Sequence, residues 1–100
     1  MSEQANNDPV VSQFREKITE VDRALVEAMN KRLRLVEQLW RYKEQHGLSL
    51  HDPARESWML RYLSRANRGP LSAEGLAELY ALVLELTKRE AGHTAEARAS

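Results

Sequence analysis

From Val10 to His46 the chain contains neither proline nor glycine, and apolar residues recur at helical spacing: Phe14, Ile18, Val21, Leu25, Ala28, Val36 and Leu39. This predicts one helix of roughly 36 residues, which at 1.5 Å per residue is ~54 Å long. A compact domain of 100 residues has a radius of gyration of only ~13 Å. Two shorter helices of the same chain cannot cover such a rod. A homodimer with antiparallel long helices can, because each shields what the other exposes.

Gly47 stops the long helix, "GLSLH" forms a short link, and Asp52-Pro53 starts a second helix carrying Trp58, Met59, Tyr62 and Leu63. "NRGP" ends it. Ser72 then caps a third helix with the stripe Leu76, Leu79, Tyr80, Val83, Leu86 and Thr87, running to about Glu90 or Ala91. No stretch alternates as a strand does. The expected fold is all-α, three helices per chain (long, short, medium) in an intertwined homodimer. Residues 1–9 read as a disordered tail, 10–91 as the helical domain, and 92–100, which have almost nothing to bury, as a flexible tail.

Lys+Arg and Asp+Glu both total 15, so the net charge is zero and no basic field favours nucleic acid or an anionic membrane. An anion site must be local. No apolar run approaches the ~20 residues that span a bilayer. "MSEQANNDP" lacks the basic and apolar regions of a signal peptide, so the expected location is cytoplasmic. The absence of cysteine excludes thiolate chemistry and cysteine-bound zinc, and His46, His51 and His93 are too scattered to suggest a metal site.

Steps of three and four from Phe14 place Arg32 and Lys43 on the apolar stripe. A cation in a core costs several kcal/mol unless paired or solvated. Two readings stand. The long side chains snorkel outward or pair with an acid such as Glu56, or the seam opens into a polar cavity where both lean toward one small anion. Their separation of three turns, ~16 Å, permits the second. Arg15 lies ~25 Å from Arg32 along the axis. It could share that anion only from an antiparallel partner; taken alone it is a solvated first-turn residue. In "DPARE", Asp52 and Pro53 explain a helix start, while Arg55 and Glu56 are either surface or part of the same site.

"FREKITEVDRALVEAMNKR", the later "YK", "DPARE" and "LYALVLELTKRE" together resemble the all-helical chorismate mutases, which are small intertwined dimers, over roughly Val11 to Glu90. The resemblance implies rearrangement of chorismate to prephenate in the shikimate pathway, toward phenylalanine and tyrosine. That pericyclic step needs no nucleophile, metal or cofactor. It depends on folding a dianion and stabilising the charge that develops on its ether oxygen. By resemblance, Arg15 reaches one carboxylate from the partner subunit and Arg32 binds a carboxylate from its own chain. Lys43 donates to the ether oxygen and a carboxylate. Glu56, with the backbone near Asp52, accepts the ring hydroxyl, and Arg55 orients this segment. Thr87 takes the place of a small hydroxyl residue that contacts a substrate carboxylate.

The last helix departs from the family's pattern. Where members carry a Gln or Glu at the ether oxygen, this register has Ala91. Glu90 is the candidate substitute; it would have to be protonated to donate, which implies better activity at lower pH. "TKRE" also reads as a polar helix end. Two further functions fit: an isochorismate pyruvate lyase-like enzyme, and a helical dimerisation or regulatory module without chemistry. Some small mutases of this family are activated by the pathway's first enzyme, for which the segment with Gly92 and His93 is a candidate contact.

Overall fold

The computed structural model describes residues 7–99, and side-chain surroundings for residues 7–91. Its first helix, α1, spans Pro9–Gln45. Asp8 sets its start: the carboxylate accepts the N–H groups of Val10 at 2.8 Å and Val11 at 3.3 Å, and proline occupies the first helical position, where no amide hydrogen is needed. The same Asp-Pro signal opens the second helix, α2, Pro53–Ala66, where Asp52 Oδ1 accepts the Arg55 N–H at 3.1 Å. Ser72 caps the third, α3, Ala73–Ala99, its hydroxyl accepting the Gly75 N–H at 2.9 Å.

The link after α1 begins with a left-handed glycine, Gly47, at φ 66°. Leu48 N–H returns to the Lys43 carbonyl at 2.8 Å and Gly47 N–H to that of Glu44 at 3.4 Å, which satisfies two of the last-turn carbonyls. Asn67 organises the link after α2. Its side-chain amide donates to the Leu71 carbonyl at 2.8 Å, and its side-chain oxygen accepts the Gly69 N–H at 3.0 Å.

Two compact units meet within α1, one running to Arg32 and the other starting at Leu33. In the first, α1 presents its apolar stripe to solvent: Phe14 is 60% and Val21 67% exposed. In the second, α2 packs on α3. The residues of α3 that become buried, Leu76, Tyr80, Thr87 and Ala91, are spaced to share one face. The half-buried side of α2 is Glu56, Met59, Leu60 and Leu63, at steps of three, one and three.

Several expectations need correcting. Of the four apolar residues that α2 carries, Met59 and Leu63 are half-buried, whereas Trp58 and Tyr62 are exposed and stack on each other, centroids 5.3 Å apart. Leu79 is likewise exposed. The third helix does not end near Glu90 or Ala91 but continues to Ala99. "AGHTAEARA" is rich in alanine, the best helix former, and a single Gly92 costs only about 1 kcal/mol within a helix. Of the expected tail 1–9, residues 1–6 lie outside the described residues, and Asp8 and Pro9 form the helix start. The surroundings of Gly92 and His93, the candidate activator contact, lie outside what is described. Among the described residues, no helix is long and apolar enough to cross a membrane.

Candidate active site

The start of α2 carries the densest set of expected site residues. Asp52 is spent on capping: Oδ1 holds the Arg55 N–H and its carbonyl accepts the Glu56 N–H at 3.2 Å. This fixes the first turn and with it the direction of Glu56. One turn of helix separates Glu56 from Met59 and Leu60, so the carboxylate sits on the apolar inner face toward α3. There it meets Lys88, with Nζ 3.4 Å from Oε1. The acid that the sequence offered to Arg32 or Lys43 is therefore engaged by a lysine of α3.

Arg55 points elsewhere. Its guanidinium lies 4.7 Å from the centre of the Trp58 ring, a cation–π contact one turn along the same exposed face. Its guanidinium contact is with its own helix, while its backbone N–H, which any residue but proline would supply there, completes the Asp52 cap.

On α3, Thr87 is 4% exposed and its hydroxyl donates its one hydrogen to the Val83 carbonyl at 2.6 Å. Ala91, at the position where the family's pattern has a Gln or Glu, is wholly buried on the same face. Glu90 is on the exposed side. At the end of α1, Lys43 is half-buried, and its carbonyl is the anchor for Leu48. Within the other unit, Arg32 is half-buried and Arg15 exposed, with the Arg15 carbonyl accepting the Thr19 hydroxyl at 2.9 Å. Among the described residues, no group of histidine and acidic side chains is placed to hold a metal ion.

Lys88 is the member that sequence reasoning missed. "TKRE" reads as a polar helix end, and only the packing of α2 on α3 brings the first turn of one beside the later turns of the other. One signal was available: a carboxylate at the i, i+3, i+4, i+7 positions of an apolar helix face needs a cation from whatever covers it.

Residues 14–91 match the family described as chorismate mutase type II. The chain belongs to that family. The chorismate mutase type II segment takes in Arg15, Arg32, Lys43, Asp52, Arg55, Glu56, Thr87, Lys88 and Glu90. Two structures of chorismate mutase from Thermus thermophilus share the fold. Form I has a TM-score of 0.74 at 30% identity, covering 77% of this chain and 96% of that one. Form II has a TM-score of 0.77 at 28% identity, covering 82% and 93%. The T-protein of Haemophilus influenzae is 45% identical over 47 residues, which is 47% of this chain. The bifunctional chorismate mutase/prephenate dehydratase of Pseudomonas aeruginosa is 31% identical over 72 residues, 67% of this chain. The chain spans only 12% and 20% of the length of these two larger proteins.

Proposed function

We propose that the protein is a chorismate mutase, rearranging chorismate to prephenate in the synthesis of phenylalanine and tyrosine. The observation that carries this is the family match over residues 14–91, which contains the ordered set of Arg15, Arg32, Lys43 and the Asp52-Arg55-Glu56 segment. The step breaks one C–O bond and forms one C–C bond within a single molecule, so no group is transferred to the protein. What the protein supplies is conformational restraint and cations where negative charge develops. Lys43 donates to the ether oxygen as it gains charge. Arg32 and a partner's arginine at position 15 hold the carboxylates, Glu56 accepts the ring hydroxyl, and the Thr87 hydroxyl turns from the Val83 carbonyl to donate to a carboxylate.

The working form is a homodimer with antiparallel long helices. This reading is supported by α1 itself, in which no residue is buried and Phe14, Ile18, Val21 and Leu25 are all more than half exposed. A face of that kind is stable in water only when covered. The location that fits this substrate is the cytoplasm.

The test is to follow loss of the diene absorbance of chorismate with purified protein and to identify the product. Prephenate formed without added metal supports the reading. Untouched chorismate refutes it, and pyruvate released from isochorismate would move the assignment to a lyase.

A further inference from the structure

The Glu56–Lys88 contact differs from an ion pair within α1. Arg23 and Glu27 are one turn apart on α1, both about three-quarters exposed, with 3.9 Å between them. Such pairs contribute little. Lys88 instead crosses from α3 to the first turn of α2, reaching a carboxylate that is only 30% exposed. It follows directly on the buried Thr87.

The chemistry of the two groups gives this contact a direction. A carboxylate offers about four lone-pair positions on two oxygens, and an ammonium group offers three donors. Lys88 Nζ lies 3.4 Å from Oε1, and the carboxylate keeps acceptor positions beyond those one ammonium group occupies. The pair also addresses a difficulty in the proposed site. A carboxylate beside a dianion repels it, unless a cation cancels the charge while leaving an acceptor available.

We propose that Lys88 is a positioning residue: it holds the Glu56 carboxylate toward the ring hydroxyl of the substrate and offsets its charge toward a dianion. Lys88 thereby helps set specificity for a dicarboxylate that carries a hydroxyl group. This rests on the mutase reading and adds to it a residue of α3.

The experiment compares wild type, Lys88→Met, Lys88→Arg, Glu56→Gln and the Lys88→Met/Glu56→Gln double variant in chorismate turnover, with equal urea midpoints as the control for folding. Lys88→Met is expected to raise KM for chorismate about tenfold, the worth of one charge-assisted hydrogen bond, with kcat changed far less. Lys88→Arg should restore most of the loss. In the double variant the lysine substitution should add nothing to Glu56→Gln, because no carboxylate remains to be held. An active wild type with Lys88→Met unchanged, or with the two effects simply additive, overturns the role of Lys88 while leaving the mutase reading intact. A wild type that neither binds nor converts chorismate overturns both.

Discussion

Lys43 is the side chain on which the proposed chemistry depends most, because that proposal assigns it the donor to the oxygen that gains charge. Lys43→Ala is expected to lower kcat/KM about a hundred- to a thousandfold, the usual cost of removing one preorganised donor, with the far-ultraviolet circular dichroism unchanged. Steady-state kinetics on chorismate would show it. The caps make a second residue-scale prediction. Asp52→Ala should cost about 1 kcal/mol in urea denaturation, and Asp8→Ala a similar amount; only the former also loosens the turn that carries Glu56, because Asp52 Oδ1 holds the neighbouring Arg55 N–H. At this scale the sequence was readable where one residue acts on its own neighbours. Asp52 and Ser72 were recognised as caps by residue type, and Asp8-Pro9 carried the same signal as Asp52-Pro53. Lys88 was hidden because its partner lies 32 positions away, and only tertiary packing brings them together.

Among the elements, the ends of the helices were more legible than their faces. Gly47 was expected to stop α1, and it does so at φ 66° with open space around the position of a missing Cβ. Gly47→Ala should therefore lose roughly 1–2 kcal/mol from backbone conformation alone, without a clash, and the urea midpoint would measure it. Because the turn ties Leu48 to the Lys43 carbonyl, the same substitution should lower kcat more than its stability cost suggests. Faces were harder. On α2 the periodicity allows either Trp58 and Tyr62 or Met59 and Leu63 to lead, and a sequence alone does not say which side another helix will cover. The aromatic pair remains outside, stacked together, with Arg55 over the Trp58 ring.

At the scale of the whole molecule, the length of the first helix was the most informative feature of the sequence, because a rod of that size cannot bury itself. Its stripe is exposed in the single chain. Leu25→Glu is expected to yield a monomer in sedimentation velocity, with much of the helical signal lost; a folded monomer that keeps activity would refute the paired arrangement. The melting temperature of the unaltered protein should rise with its concentration, since association stabilises by mass action. That uncovered stripe also bears on gene dosage. If catalysis requires two chains, flux at low abundance varies with the square of the amount made, so halving expression removes up to three-quarters of the output. A cell that relies on this chain must hold its supply above the dissociation constant.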